Sequence, residues 1–285
     1  MDELVAVVMK KLALTILVLL MVGISPVVSW AGELEDAKEQ VRQNPNDADA
    51  HANLGFAYQN LGQHQEAITS LKEAIRIWPD FTLARLGLGI AYLELGQHRE
   101  AITPFKEAIR IHPNFVSPHL GLGTAYRNLG QYQEAIASYK EAIRIKPDLA
   151  EAHLGLGASY ERLGQYQEAI ASFKEAIRIK PDNTDAHFLL GFAYRSMGQY
   201  QEAIASYKDS IRIMPLNIDA HYDLGRTYEK LDRNDEAIAS YKEALRIAPD
   251  HPYASGNLIK LEQKAAEDRL ARERKLLKEE RKKLE

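Results

Sequence analysis

Seven prolines, Pro45, Pro79, Pro113, Pro147, Pro181, Pro215 and Pro249, fall 34 residues apart, and no other feature constrains this chain as strongly. The stretch 130–148, GQYQEAIASYKEAIRIKPD, returns almost letter for letter at 164–182 and more loosely at 198–216. Self-similarity at this period describes units that stack on their neighbours instead of enclosing one core. The 285 residues therefore set a number of units, not the size of an interior. Six full units follow: 48–81, 82–115, 116–149, 150–183, 184–217 and 218–251.

Each unit reads as two helices. In the fourth, Leu154, Leu156, Gly157 and Tyr160 recur at helical spacing before a break at Leu163-Gly164-Gln165. Glycine supplies the left-handed residue that ends a helix. Ala169, Ile170, Phe173, Ala176 and Ile177 then form one apolar stripe on a helix of about four turns. Pro181 stops that helix, having no N–H and clashing with the preceding turn. Asp148 and Asp182, each with an acidic residue three positions on (Glu151, Asp185), are the predicted caps of the next helices. Small residues at Gly157, Ala169 and Ala176 let paired helices approach closely, so larger ones there would overpack them.

These residues resemble the tetratricopeptide repeat. Unit three gives Leu122-Gly123, Tyr126, Ala135, Tyr139, Ala142 and Pro147; unit one gives Leu54-Gly55, Tyr58, Ala67, Leu71, Ala74 and Pro79. Unit six gives Leu224-Gly225, Tyr228, Ala237, Tyr241, Ala244 and Pro249. The departures are Ser210 in place of an alanine and Asp232-Arg233 in place of the turn Gly-Gln. The resemblance covers residues 48–251 and implies an all-α, right-handed solenoid of six stacked helix-turn-helix repeats followed by a C-terminal helix. It also implies a non-enzymatic scaffold for protein–protein interaction.

The flanks differ from the repeats. Lys10 and Lys11 precede an apolar run at 12–24, and Ser29-Trp30-Ala31 places small residues at the −3 and −1 positions of a cleavage site. This is the pattern of a secretory signal peptide over residues 1–31, in bacterial style, with export to the periplasm or beyond expected. The alternative is an uncleaved anchor in the inner membrane, since about 20 apolar residues span a bilayer. Residues 32–47 are expected to form a capping helix from Glu33, with Leu34, Ala37 and Val41 on one side. Residues 252–285 are expected to cap the far end through Leu258 and Leu261 and then continue as a charged, solvated helix. Leu270, Leu277 and Leu284 sit seven apart, but Arg274 and Arg281 would fill the companion positions of a coiled-coil seam.

Composition narrows the function. Charged residues are 27% of the chain with a net charge of −4, which gives no basis for nucleic-acid binding. The absence of cysteine removes disulfides, thiolate metal sites and a cysteine nucleophile. His51, His119, His153, His187 and His221 hold one slot in five units, with Arg85 in the sixth; His64 and His98 hold a turn position. Metal ligands on a helix need i, i+3 or i+4 spacing, whereas these recur once per unit, so a packing slot is expected. The Leu-Gly-Leu-Gly runs at 86–89 and 120–123 lie within helices with no strand before them, so they are not phosphate loops. No catalytic residue, metal or cofactor is predicted, and the chain is read as not an enzyme.

The resemblance further implies that the first helices line a concave groove. Carrying its inward positions over gives Phe56, Leu86, Ile90, Leu120, Leu154, Phe188, Phe192 and Tyr222, with Arg127, Arg195 and Arg226 as polar points. Acidic residues such as Asp185, Asp219 and Glu229 balance them. A Lys/Asn carboxylate clamp and an asparagine ladder, two binding modes of the family, are missing; the ladder slot reads Asn53, Gly87, Gly121, Gly155, Leu189, Asp223. The expected ligand is an extended or helical segment of another protein with apolar anchors, held chiefly by Phe188, Phe192 and Tyr222. Self-assembly into a homo-oligomer and a polymer-binding (glycan) array are the alternatives. Trp78, the lone tryptophan of the repeats, counts against sugar stacking.

Overall fold

The computed structural model describes residues 26–284, which form fourteen α-helices and, among the described residues, no strand. Most of the expected signal segment, residues 1–25, lies outside them. The chain divides into two compact units between Gly155 and Leu156. The first holds α1 (Pro26–Gln43), α2 (Ala48–Asn60), α3 (His64–Ile77), α4 (Thr82–Glu94), α5 (His98–Ile111), α6 (Val116–Asn128), α7 (Tyr132–Ile145) and the start of α8 (Ala150–Arg162). The second holds the rest of α8, then α9 (Tyr166–Ile179), α10 (Thr184–Ser196), α11 (Tyr200–Ile213), α12 (Ile218–Glu229), α13 (Asn234–Ile247) and α14 (Ala254–Leu284). The periodicity gives no sign of this boundary, which falls inside α8.

Within each unit successive helices pack on one another, and first helices of neighbouring repeats also touch: α2 with α4, α4 with α6, and α10 with α12. This is the stacking of helix pairs that the period demands. The wedge between layers is one bulky side chain from each second helix. Phe105, fully buried, sits against Gly89 of its own repeat and Gly121 of the next, where an added Cβ would lie 2.5 Å from the ring in both cases. Leu71 and Tyr139 play the same part in the first unit; in the second, the buried Phe173, Tyr207 and Tyr241 sit against the glycine of their own repeats, Gly157, Gly191 and Gly225. A row of lysines adds to the layering: Lys72 and Lys106 lie 5.6 and 5.8 Å over the rings of Tyr92 and Tyr126 of the following repeats. Lys174 and Lys208 do the same to Tyr194 and Tyr228 in the second unit.

The turn inside each pair runs through a left-handed residue, Gly62, Gly96, Gly130, Gly164 or Gly198, with φ between +70° and +74°. Asp232 takes the same role in the last repeat at φ +52°, which its short polar side chain tolerates. The departure from Gly-Gln noted in the sequence thus keeps the backbone path. Gly164→Ala is expected to destabilise the second unit by about 1–2 kcal/mol through this conformation alone, measurable as a lower urea midpoint with an unchanged slope.

Two expectations at the helix ends are corrected. The caps of α10 and α12 are Asn183 and Asn217, whose side chains accept from the backbone N–H of Ala186 and Ala220 at 3.1 Å. Asp182 is one residue too early, because Pro181 and Asp182 are consumed in a turn closed by Asn183 N–H to the Lys180 carbonyl. Likewise α8 opens after Leu149, whose carbonyl accepts from His153 N–H, so Asp148 is not its cap. The N-terminal helix begins at Pro26, not Glu33, and so runs across the expected cleavage junction; proline suits a first helical turn. Leu34 and Ala37 are buried against Ala57.

The recurrent histidines have a bonding role beyond packing. His51, His119, His153, His187 and His221 each donate from Nε2 to the carbonyl of the proline six residues earlier, at 2.9–3.0 Å. Arg85 does the same to Pro79 with two nitrogens. The side chain therefore satisfies a carbonyl left open at the end of a helix by the proline turn.

In the second unit α14 packs through buried Ala254 and Leu261 and half-buried Leu258. The Asn257 amide donates to the Tyr241 hydroxyl at 3.3 Å, and Lys242 pairs with Glu262 at 2.8 Å. Beyond Leu261 the helix is largely exposed.

Candidate functional site

The first helices α10 and α12, with the connection 248–253 that leads into α14, enclose a hollow of ≈ 930 Å³ in the second unit. Its apolar lining includes Phe188, Phe192, Met214, Leu216, Tyr222 and Tyr253. Local sequence explains the arrangement. Phe188 and Phe192 are four apart on α10 and share a face, and Tyr222 holds on α12 the position of Phe188 on α10. Phe188 leans on the buried Tyr207 with ring centroids 5.8 Å apart; Tyr222 leans on Tyr241 at 5.7 Å and on His251 at 4.7 Å. Each aromatic is therefore half-buried, one side held by the core and the other lining the hollow.

The floor is charged. Asp223 occupies the slot that is glycine in units two to four, and its carboxylate meets Arg195 at 3.3 Å and Arg226 at 3.2 Å. The Arg195 and Asp223 side chains are only 13% and 11% exposed. Burial raises the Asp223 carboxyl above the ordinary carboxylate range, outweighing the two guanidiniums that pull it down. Burial also raises the Tyr207 phenol, with the adjacent Asp223 charge acting in the same direction. The guanidiniums lie on ring faces, Arg195 over Phe192 at 5.2 Å and Arg226 over Tyr222 at 5.7 Å. Asp185, Asp219 and Asp250 add exposed carboxylates to the lining.

Of the groove residues read from the sequence, Phe188, Phe192, Arg195, Tyr222 and Arg226 are brought together here. Those of the first unit are arranged differently. Phe56 lines a smaller hollow of ≈ 340 Å³ with Glu33, Asp36 and Gln40 of α1, yet its ring edge is wedged over Gly87 within the core around Leu71. The ring therefore both lines this hollow and packs between repeats, because the glycine leaves room for it. Leu86 packs on the cluster of Phe105 and Leu122. Ile90 is 40% exposed, while Leu120, Arg127 and Leu154 are half-buried, and none of these five lines either hollow.

Sequence reasoning missed Asp223 as the centre of the floor. Its only signal was a carboxylate at a slot that is glycine in units two to four and leucine in unit five. His251 and Tyr253 were missed because they follow the final periodic proline. Among the described residues, no group of three or more His, Asp or Glu could hold a metal ion, and no helix is long and apolar enough to cross a membrane.

Helix pairs stacked by an aromatic wedge, with first helices presenting a hollow, define a tetratricopeptide solenoid, a class whose members serve as scaffolds for other proteins. The family model described as the cilia and flagella-associated protein 70 C-terminal domain matches residues 5–269, and the chain belongs to this tetratricopeptide-repeat family. Solved structures agree on the fold. A chain of the APC/C hetero-tetramer Cut9–Hcn1 aligns with a TM-score of 0.64 at 22% identity, over 79% of this chain and 44% of that one, so this chain spans less than half of it. MamA is 32% identical with a TM-score of 0.55, over 57% of this chain and 95% of MamA. YrrB, described as a TPR protein with an unusual peptide-binding site, is 21% identical with a TM-score of 0.57, over 65% of this chain and 96% of YrrB. No curated protein matches the sequence.

Proposed function

We propose that this protein is an exported, non-enzymatic scaffold that captures an apolar segment of a partner protein in the hollow of its second unit. The observation that carries this reading is the set of aromatic faces, Phe188, Phe192 and Tyr222, each pinned from behind by a buried side chain or a guanidinium. Such rings are already ordered, so a ligand gains contact area without paying for their immobilisation. Rigid aromatics beside arginine are also the composition of interface hot spots. Support for export is the charged, apolar and small-x-small order of residues 10–31.

The test is to produce the full chain in a Gram-negative host, determine its mature N-terminus, and crosslink what co-purifies. Phe188→Ala and Phe192→Ala are each expected to weaken capture of the principal partner by about 30-fold, the effect of losing a hot spot. Capture unchanged in both variants removes the hollow as the binding site. A mature chain starting at Gly32 supports export, whereas an unprocessed chain in the membrane fraction replaces it with anchoring.

A further inference from the structure

We propose that the hollow also receives the charged C-terminal helix of a second copy of this chain, giving a dimer that exchanges tails. The receptor half rests on the reading of the hollow given above; the ligand half rests on α14. Past Leu261 that helix leaves the core, and Leu270, Leu276 and Leu277 are 53–60% exposed. Residues 269–283 around them hold eight basic and three acidic side chains. The hollow has the opposite character: four carboxylates and two guanidiniums line it, and both guanidiniums are committed to Asp223. A basic helix with apolar anchors thus meets an acidic, aromatic trough on the same polypeptide, which is the helix-in-groove mode with charge complementarity.

The helix cannot serve its own hollow. It starts at Ala254, next to Tyr253 of the lining, and continues unbroken to Leu284. At 1.5 Å per residue, Leu270 stands about 24 Å along the axis from that start. Bringing it back would require breaking the helix, so the occupant comes from another molecule. Because receptor and ligand belong to one unit, two copies can satisfy both at once, and a closed pair forms in preference to an open chain.

Charge reversal on each side, read by sedimentation over a concentration series of the full chain, tests this. On the tail, Arg274→Glu with Arg281→Glu changes two side chains one turn from Leu270 and Leu277 on the same face. On the receptor, Asp185→Lys with Asp219→Lys changes exposed residues of the lining. Each double variant is expected to keep its helical circular dichroism and weaken the dimer by about tenfold or more. An equal mixture of the two variants is expected to dimerise again, since each reversed side then meets its complement. A wild-type chain that stays monomeric overturns the proposal, including the case where its tail instead binds vesicles of anionic phospholipid. So does a dimer that survives receptor reversal, which would mean tails pairing with tails. If dimerisation fails these tests while Phe188→Ala still weakens partner capture, the scaffold reading stands and only this inference falls.

Discussion

Phe105→Ala is expected to lower the unfolding free energy of the first unit by about 3–5 kcal/mol, the cost of removing a fully buried aromatic from a close-packed site. The expectation is at the upper end because of what surrounds the ring. Gly89 and Gly121 flank it from two successive repeats and present backbone, not side chains that could swing into the space. The cavity would therefore persist, and with it the loss of dispersion contacts. Urea denaturation followed by circular dichroism checks the magnitude. Phe105→Tyr gives the control, since tyrosine fills the same position at Tyr139, Tyr207 and Tyr241; it is expected to cost far less. A loss below about 1 kcal/mol for the alanine variant would show that the layers close over the gap, contrary to the rigidity expected of packed interiors.

Asp223→Gly is expected to destabilise the second unit by a comparable amount, about 3–5 kcal/mol, because it leaves the buried Arg195 guanidinium without its carboxylate. The substitution restores the residue found at this slot in units two to four, so a sequence-consensus argument would expect stabilisation. Electrostatics decides against it: an unpaired charge in a low-dielectric site costs more than the glycine's better fit returns. Adding Arg195→Met removes the stranded charge and is expected to recover most of the loss, as apolar replacements of buried ion pairs do. The coupling energy from the full cycle of two single variants and the double measures the pair directly. Equal losses in the single and double variants would mean that Asp223 acts through packing on Tyr207 alone.

Much of this molecule is legible in its sequence. The proline beat gave the units, the Leu-Gly and Ala positions gave the helix faces, and glycine marked the tight turn in five of the six repeats. What resisted was of two kinds. One was local: a proline turn consumes two residues, so the cap moved from Asp182 to Asn183, and the histidine slot became a hydrogen bond to a carbonyl six residues back. The other concerned the groove. Phe56 and Phe192 occupy equivalent places in their repeats, yet one edges a small hollow with its ring wedged over Gly87 while the other lines a larger hollow under an arginine. Periodicity assigns both the same inward position and cannot separate them.

The sequence by itself determined the class of fold, because a fixed period of amphipathic helix pairs can bury its stripes only by stacking. It also determined which positions must stay small and which must be bulky, since both are set by the distance between helix axes. Only the tertiary structure decided where the candidate site lies. Whether an inward residue is wedge or binding surface depends on the side chain opposite it in the next repeat, a contact made across about 34 residues of chain. In the last repeat Asp223, at a slot that is glycine in units two to four, pairs with both Arg195 and Arg226, whose guanidiniums lie against the rings of Phe192 and Tyr222. That is a property of the space between helices, which no reading of one helix contains.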